Sequence, residues 1–373
     1  MSSPRKDFKV AIVGGGMCGL LCAVGLARAG IQVNVFESAT KFGEVGAGVG
    51  LGPNAIRALD GLGVLEAILR RTDEPTTESL SFRFITGVGN HDHVYLYPVP
   101  SNHTGIGIYR PAFLEALEPL IDAKIVHFGK RCISISTCTS RSHLLHFEGG
   151  DVHEADLVIG ADGIRSVVRS FVDPETTGRV VYSNSVAYRS LLSLQSLKEA
   201  GVKTDLTSQP LCWVGNNKHI ITYPVQAKKM INIVAFSTSS EAPVGSNTID
   251  PPWVRSASQN EILDAFSGWG DDAITLLKQM ANPSKWYLHS MNPPLKNYIK
   301  QRVVLIGDAA HPMVPHLGAG VGQGFEDTLA LCKLLSHRQT RRENLDVVLD
   351  AYNAIRVPRA RAPTTAKSKR RNT

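Results

Sequence analysis

The feature that most constrains this chain is a glycine-rich turn between two strand-like segments near the N-terminus. Residues 9–13 read KVAIV, an apolar run typical of a strand buried in a parallel sheet. The turn GGGMCG follows, and the helical stretch LLCAVGLARAG then leads to a second strand-like run, IQVNVFE, that ends at Glu37. This order predicts the β-α-β unit of a dinucleotide-binding fold.

Each member of this fingerprint has a physical reason. Gly14 permits the tight turn, Gly16 lets backbone N–H groups approach a pyrophosphate, and Gly19 lets the helix lie close to the strand. Glu37, about 20 residues past the glycines, is placed to hydrogen-bond a ribose hydroxyl. A chance glycine-rich turn is the alternative, and the strand, helix and acid in their expected order disfavour it.

The remainder of the 373 residues predicts an α/β protein with a discontinuous nucleotide-binding lobe. Short β-like segments broken by Gly, Asn or Pro fill the middle of the chain, at 81–85, 93–97, 179–192, 211–214, 219–225 and 230–236. Helical patterns return at 260–266, 272–280 and 325–335. We expect residues 1–78, 102–172 and 296–340 to form the nucleotide-binding domain, 79–101 and 173–295 a mostly antiparallel substrate domain, and 341–373 a C-terminal helix with a disordered tail.

The charge distribution excludes a nucleic-acid reader. Forty Lys and Arg against 33 Asp and Glu give a formal charge of +7, and seven of these bases, with no acid, lie in residues 356–373. The remaining chain balances, so the excess is interpreted as belonging to a solvated, disordered tail and not to a folded binding face.

Cysteine and histidine spacing predicts neither a disulfide framework nor a metal site. The six cysteines form no CxxC pair, which favours packing thiols in a reducing compartment. His311 and His316 flank a loop, but no neighbouring Cys or carboxylate completes a metal-binding set. With no apolar run long enough to span a membrane and no signal peptide, we expect a cytoplasmic protein.

Two later segments place further carboxylates at the ends of predicted strands. DLVIGADGIRSVVR carries Asp162 in a turn that opens a helix, and QRVVLIGDAAHPMVPHLGAGVGQGFED carries Asp308 before a glycine-rich helix start. Ligands of open α/β sheets bind at the carboxyl ends of the strands. A helix N-terminus with small residues suits a flat ring that carries negative charge.

In these motifs the chain resembles the single-component FAD-dependent aromatic hydroxylases (class A flavoprotein monooxygenases), in particular those similar to salicylate hydroxylase. The matching stretches are GGGMCG with Glu37, GAGVGLGPNA at 46–55, Arg110 within YRPAFLEAL, the GADG turn, and GDAAHPMVPHLGAGVGQGFED. The resemblance runs from about residue 8 to about residue 340. It implies a Rossmann-like FAD-binding domain plus a substrate domain built on a mostly antiparallel sheet.

The resemblance also implies which residues bind FAD. Glu37 would hold the adenosine ribose, and Arg110 would reach the pyrophosphate or the adjoining ribose, the alternative for Arg110 being an ordinary surface position on a helix. Asp162 would shape the cleft where FAD and the reduced nicotinamide approach. The remaining expected contacts are the backbone around Gly50 and Asp308 with the ribityl chain, and Pro315, Gly318, Gly320 and Val321 with the isoalloxazine.

For the substrate, the resemblance points to Arg189 and Tyr223, which lie on β-like segments and would hold a phenolate oxygen. A flavin C4a-hydroperoxide is an electrophile, so the ring that it attacks must be electron-rich, and a guanidinium and a phenol favour the ionised hydroxyl. His219 is a candidate general base. The alternatives are that Arg189 caps a sheet edge and that Tyr223 only packs.

The expected function is therefore an FAD-dependent monooxygenase that uses NADH or NADPH and O₂ to hydroxylate a phenolic substrate, salicylate-like or polyketide-derived. Decarboxylation follows where the attacked carbon bears a carboxylate, and dearomatisation where the ring cannot rearomatise. Because the chain has one glycine fingerprint, we assign FAD to it and expect the reduced nicotinamide to bind only transiently. An NAD(P)-dependent dehydrogenase and a truncated FAD-binding paralogue without hydroxylase activity are the alternatives, and either a monomer or a homodimer is expected.

Overall fold

The computed structural model describes residues 6–42, 48–72, 82–96, 105–176, 178–226 and 228–369. Gly46, Ala47, Ser81 and Tyr97, which the sequence analysis placed in motifs or strands, lie outside these ranges. Within them the strands are β1 (Lys9–Val13), β2 (Gln32–Phe36), β3 (Gly48–Leu51), β4 (Arg83–Thr86), β5 (His93–Leu96), β6 (Ile106–Tyr109), β7 (Val126–His127), β8 (Cys132–Thr137), β9 (His143–Phe147), β10 (Val152–Ala155), β11 (Leu157–Gly160), β12 (Val180–Ser193), β13 (Leu211–Gly215), β14 (Lys218–Val225), β15 (Met230–Thr238), β16 (Val254–Ser256), β17 (Ser284–Met291), β18 (Ile299–Lys300) and β19 (Val303–Leu305).

The helices alternate with the strands mainly in the first third and the last third of the chain. They are α1 (Met17–Arg28), α2 (Pro53–Gly61), α3 (Leu65–Leu69), α4 (Arg110–Leu117), α5 (Val167–Val172), α6 (Leu194–Glu199), α7 (Gln259–Ala265), α8 (Asp271–Lys278), α9 (Gly320–Ser336) and α10 (Leu345–Lys369). None of the helices in the described part of the chain combines the length and the apolar character that a membrane crossing requires.

The first sheet is the predicted nucleotide-binding sheet. Its order is β18-β19-β11-β1-β2-β7, and the pairs from β19 to β7 are parallel. The middle strands β11 and β19 are buried along their whole length, as apolar runs in a parallel sheet should be. Because β1, β11 and β19 are neighbours, the three motif-bearing turns that follow them lie together at one edge of the sheet.

The second large sheet contains the predicted middle strands. It has eight strands in the order β16-β17-β12-β15-β14-β13-β4-β5, antiparallel except for the β13–β4 pair. One face packs against α7 and α8 through a core that includes Trp213, Ile233, Phe266 and Leu277. On the opposite face, Val314 of the loop after β19 packs against a cluster that includes Val234 and Phe236.

Small sheets and packed thiols complete the fold. Strands β3 and β6 form a two-stranded ribbon, and β10-β9-β8 forms a three-stranded sheet. All six cysteines are free thiols, and Cys22, Cys132, Cys212 and Cys332 are buried, which confirms their expected packing role.

The interpretation of residues 356–373 as disordered is wrong as far as Lys369, and the interpretation as solvated is wrong for Arg356. Helix α10 continues to Lys369, and Arg356 is only 3% exposed. Arg356 pairs with Asp327 and Glu326 of α9, and Arg359 also pairs with Glu326. The clustered bases therefore include groups that complement acids of a neighbouring helix, a relation that a charge count along the chain does not reveal.

Candidate active site

The turns after β1, β11 and β19 are built against one another. Gly14 has a φ of +103°, and a Cβ at this position would lie 2.4 Å from the Ala161 carbonyl oxygen. The buried Arg169 donates to the carbonyl oxygens of Asp308 (3.3 Å) and Ala309 (3.1 Å) and also to that of Ile164. Arg169, which the sequence analysis did not single out, thus fastens the GADG turn to the GDAA turn.

The start of α1 is open toward a ligand. Gly16 is its N-cap, no side chain caps the helix, and a Cβ on Gly16 would meet no atom within 4 Å. The first N–H groups of a helix attract phosphate. Glu37 lies beside this turn, with its Oε2 accepting from the Gly15 N–H at 2.7 Å and its Oε1 from the Ala39 N–H at 2.8 Å.

Bare backbone and one carboxylate border the space beyond this turn. Gly50 of β3 pairs with Gly107 of β6, and a Cβ on either glycine would meet nothing within 4 Å. Gly318, with a φ of +59°, is equally open, and it ends a short helical turn that begins at Pro315. Each of these glycines therefore presents bare backbone to open space.

Asp308 lies on the floor of this space. The residue is exposed to solvent. Partial desolvation by the surrounding protein atoms raises the pKa of its carboxyl group, and the nearby charges of His311, Arg110 and Arg169 act in the opposite direction. Gly320, whose Cβ position lies 4.0 Å from Asp308 Oδ1, opens α9 directly above it, and Val321 packs on the core of the first sheet.

Arg110 is the first residue of α4, where the helix dipole disfavours a cation. The charge of Arg110 counteracts the rise in the Asp308 pKa and adds to the fall in the Arg189 pKa, so the guanidinium is near enough to influence a motif turn and the eight-stranded sheet alike.

Asp162 faces its own helix. Its carboxylate accepts from Ser166 Oγ and from the N–H groups of Val167 (2.8 Å) and Val168 (3.2 Å) at the start of α5. Burial raises its pKa, and these hydrogen bonds counteract that effect. Asp162 therefore fixes the shape of the GADG turn.

The structure brings Arg189, Tyr223 and His219 to one face of the eight-stranded sheet. Arg189 on β12 pairs with Val234 of β15, which in turn pairs with Ile221 of β14, between His219 and Tyr223. Alternating side chains point to the same face, so all three project away from the α7–α8 core. His219 and Tyr223, four positions apart on one strand, are separated by about 13 Å, and Arg189 lies in the row between them.

Arg189 is held in place but incompletely bonded. Its guanidinium lies 5.3 Å from the Trp286 ring centroid, and its Nε is buried without an acceptor in the described part of the chain. Burial lowers its pKa, and the charge of Arg110 acts in the same direction.

Tyr223 is a neutral hydrogen-bond donor. Burial raises its pKa to about 12, although the charge of Arg189 acts in the opposite direction. A Cβ on Gly48 would lie 2.5 Å from the Tyr223 hydroxyl, so the phenol rests on bare backbone of β3. The sequence offered no signal for this contact, because the two residues are 175 positions apart in the chain.

His219 joins the sheet to the loop after β19. Its ring stacks on Phe236 with centroids 4.5 Å apart and meets His316 edge-on at 5.3 Å. Val314 of the same loop packs on the apolar cluster of this sheet face, beside Trp286 and Phe236. The loop thus covers the His219 end of the face.

A buried ion network, also missed from the sequence, supports the turn that carries Asp308. Asp327 accepts from the Gly307 N–H (2.9 Å), His311 Nε2 (2.6 Å) and Arg356 Nε (2.6 Å). Burial alone would lower the His311 pKa, but Asp327 and Asp308 raise it overall. His311 lies in the GDAAH motif and Asp327 in the FED motif, but nothing in the two motifs indicated that these residues pair.

These features fit FAD. The uncapped α1 terminus and Arg110 suit a pyrophosphate, Glu37 and Asp308 suit hydroxyl groups, and the open glycines suit the ribityl chain and the ring.

Comparisons with known proteins agree with this geometry. A family model described as an FAD binding domain matches residues 7–124 and 125–367. A Pseudomonas putida salicylate hydroxylase is 41% identical over 96% of this chain and 84% of its own length. The 6-methylsalicylate 1-monooxygenase of Aspergillus terreus is 33% identical over 94% of this chain and 79% of its own length.

A solved structure described as a salicylate hydroxylase substrate complex superposes with a TM-score of 0.82 at 31% identity, covering 95% of this chain and 86% of that one. The expected FAD-binding and antiparallel-sheet architecture is confirmed, and the dehydrogenase and non-catalytic alternatives are not favoured. The chain belongs to the FAD-dependent aromatic hydroxylases similar to salicylate hydroxylase, and it is a flavoprotein monooxygenase.

Proposed function

We propose that this monooxygenase hydroxylates an aromatic acid of the salicylate type, a benzoate with a hydroxyl group on the adjacent carbon. The observation that carries the proposal is Arg189, a cation held on the sheet face with a buried Nε that has no acceptor in the described ranges. The hydroxyl of neutral Tyr223 lies close enough for the two groups to influence each other's pKa. Names of relatives such as salicylate hydroxylase support this substrate class.

We assign the FAD contacts as follows. The turn of Gly14, Gly16 and Gly19 and Arg110 hold the pyrophosphate, and Glu37 holds the adenosine ribose. Asp162 maintains the cleft wall through its cap on α5. The ribityl chain and the ring are bordered by Gly50, Asp308, Pro315, Gly318, Gly320 and Val321. When bound, FAD passes two electrons from NADH or NADPH to O₂ and delivers one oxygen atom to the substrate.

The protein's contribution is to hold the substrate as an electron-rich anion. Arg189 pairs with the anionic oxygens and favours the ionised hydroxyl, and Tyr223, neutral below about pH 12, donates a hydrogen bond to an oxygen. His219, at the other end of the face, takes up the hydroxyl proton. The apolar wall of Val234, Phe236 and Trp286 keeps water from the ring.

The atoms and electrons balance as follows. The O–O bond breaks: one oxygen atom of O₂ forms a bond to the ring carbon as a hydroxyl group, and the other, with two electrons from the reduced nicotinamide and two protons, leaves as water. If the attacked carbon carries hydrogen, that C–H bond breaks, the proton leaves to solvent, and the electron pair of the bond restores the aromatic ring. If the attacked carbon carries the carboxylate, the C–C bond breaks, CO₂ leaves, and the electron pair of that bond restores the aromatic ring.

The experiment is a panel of salicylate, 6-methylsalicylate, 3-hydroxybenzoate and phenol offered to the FAD-loaded protein with NADH and with NADPH. We expect salicylate-type acids to accelerate oxygen uptake and to yield hydroxylated products by mass spectrometry. If none of the aromatic acids accelerates the oxidation of NADH or NADPH, the proposal is contradicted.

We also propose the finer organisation. FAD binds to residues 1–78, 102–172 and 296–340, the substrate domain is formed by 79–101 and 173–295, and the protein works in the cytoplasm as a monomer or homodimer. The six free thiols support a reducing compartment. Light scattering of the FAD-loaded protein measures the oligomeric state.

A further inference from the structure

A second side chain on the site face, besides Arg189, is buried without satisfying its hydrogen-bond donor. Asn232 on β15 is 3% exposed, and its Nδ2 has no acceptor in the described part of the chain. Buried amide groups in folded proteins nearly always have partners. The absence of one here needs an explanation.

The strand register places Asn232 among the substrate groups. Asn232 pairs directly with Tyr223 on one side and with Leu191 on the other. Arg189 pairs with Val234, the next residue of the same face, so Arg189 and Asn232 are diagonal neighbours, with Cα atoms about 7–8 Å apart. Two unsatisfied nitrogen donors therefore lie on the same patch of the sheet.

The other buried side-chain nitrogens on the strands of this sheet have hydrogen-bond partners within the described ranges. On the opposite face, Trp213 Nε1 donates to Thr222 Oγ1 at 3.1 Å, and at the far end of β12 the Ser185 and Thr238 hydroxyls lie 2.9 Å apart. Asn184, another buried amide of β12, donates its Nδ2 to the carbonyl oxygens of Ala242 and Pro243, while its Oδ1 has no donor in the described part of the chain. Among the buried side-chain nitrogens on the strands of this sheet, as far as the structure describes them, those without an acceptor are Arg189 Nε and Asn232 Nδ2, both on the site face.

We propose that Asn232 is a substrate-recognition residue whose amide donates a hydrogen bond to one acceptor oxygen while Arg189 pairs with another. This inference rests on the proposed function and specifies it further. Two donors at this spacing select aromatic acids with acceptor oxygens on adjacent carbons over rings with one acceptor group. A site built around unsatisfied donors rejects an analogue that leaves one of them unpaired.

The test compares wild type with two variants. Asn232→Leu has a similar volume but no hydrogen-bond donor, and Asn232→Asp keeps the shape but replaces the donor amide with an anionic acceptor. Asn184→Leu is the matched control, a buried amide outside the site. For each FAD-loaded protein, dissociation constants for salicylate, benzoate and phenol are measured from perturbation of the flavin absorbance. Melting temperature and FAD content are recorded in parallel.

For Asn232→Leu we expect affinity for salicylate to fall by at least about tenfold, while affinity for benzoate and phenol changes little. For Asn232→Asp we expect the weakest salicylate binding, because the carboxylate repels the anion and donates no hydrogen bond; benzoate loses affinity through the repulsion alone, and neutral phenol changes little. Asn184→Leu should lower the melting temperature and leave the three dissociation constants unchanged. If the Leu variant does not fold, the Asp variant decides the question by whether salicylate loses more affinity than benzoate, which meets the same repulsion.

Two results would overturn the inference, and they are distinguishable from a failure of the proposed function. Wild-type affinity for salicylate in the Asn232 variants excludes the hydrogen bond, and an equal loss for all three ligands assigns Asn232 a merely structural role. A wild-type protein that binds no member of the panel overturns the proposed substrate class itself.

Discussion

Gly16 and Gly19 lie three residues apart in one turn, yet an added methyl group would meet opposite surroundings. At Gly19 the Cβ would lie 1.9 Å from the Gly14 carbonyl oxygen, which no small movement can relieve. At Gly16 it would meet only open space. The fold thus requires glycine at position 19. At position 16 the fold would tolerate a methyl group, and we expect a bound ligand to require the glycine.

This contrast gives a prediction for FAD binding. Gly16→Ala should keep the melting temperature of the FAD-free protein and weaken FAD affinity by about tenfold or more, because the methyl group occupies the phosphate position. Gly19→Ala should lower the melting temperature even without FAD. Fluorescence titration with FAD and calorimetry measure the two effects, and unchanged FAD affinity in Gly16→Ala contradicts the assignment.

Gly48 allows a parallel prediction for the substrate. In Gly48→Ala the methyl group must displace the Tyr223 hydroxyl, which lies 2.5 Å from its position, so we expect salicylate affinity to fall by about tenfold with FAD affinity retained. Gly61→Ala is a control away from the site, where the methyl group meets only the flexible Leu329 side chain. Equal salicylate affinity in the two variants would remove Gly48 from the positioning of Tyr223.

At the scale of elements, α9 and α10 are joined by a buried ion network that also holds the Gly307–Asp308 turn. Arg356 is 3% exposed and bonds Asp327 Oδ1, Glu326 Oε2 and Gln323. The side chain of Arg359, whose partner within the described ranges is Glu326, is 50% exposed. The two arginines of this helix therefore differ in burial, and the sequence alone does not indicate that difference.

Arg356→Ala should lower the free energy of unfolding by about 3–5 kcal/mol, because it leaves buried carboxylates without a cation. Arg359→Ala should lower it by less than about 1 kcal/mol, since a half-exposed pair is screened by solvent. Urea unfolding of both variants provides the measurement. Equal effects would show that the network does not depend on burial.

The His311–Asp327 pair predicts a pH dependence. The folded-state pKa of His311 is raised, so its contribution to stability is complete below the unfolded value of about 6.5 and is lost as the pH rises through the folded value. The pKa of Asp327 is lowered, so its contribution is complete above about 3.9 and lost only in stronger acid. The difference in unfolding free energy between wild type and His311→Gln should therefore be larger at about pH 6 than at about pH 9, and a difference that grows with pH would contradict the charged pair.

The elements themselves were largely predictable because their signals are local. The run KVAIV, the glycine fingerprint and the alternating segment that contains Arg189 carry their structure within a few residues. The Gly48–Tyr223 contact and the Asp327–Arg356 pair were not predictable, because each joins distant segments whose proximity depends on the packing of whole elements. For the same reason, the sequence did not indicate that Arg356 and Arg359 pair with acids of α9, and the basic segment was interpreted as a tail.

For the whole molecule, the candidate site exists only where two sheets meet. The parallel sheet provides the turns of Gly14, Asp162 and Asp308 at its carboxyl edge, and the antiparallel sheet provides Arg189 and Tyr223 on one face. Arg110 influences the pKa of groups on both sides, and Val314 and His316 pack across the boundary. The sequence identified both halves through their motifs, but their convergence is a property of the tertiary fold.

The central claim is that this joint site transfers one oxygen atom from O₂ to an aromatic acid. The most direct test is mass spectrometry of the product that the FAD-loaded protein forms from salicylate and reduced nicotinamide under isotopically labelled O₂. We predict a hydroxylated product that carries one labelled oxygen atom. An unlabelled product, or reduced nicotinamide consumed with no hydroxylated product at all, would contradict the claim.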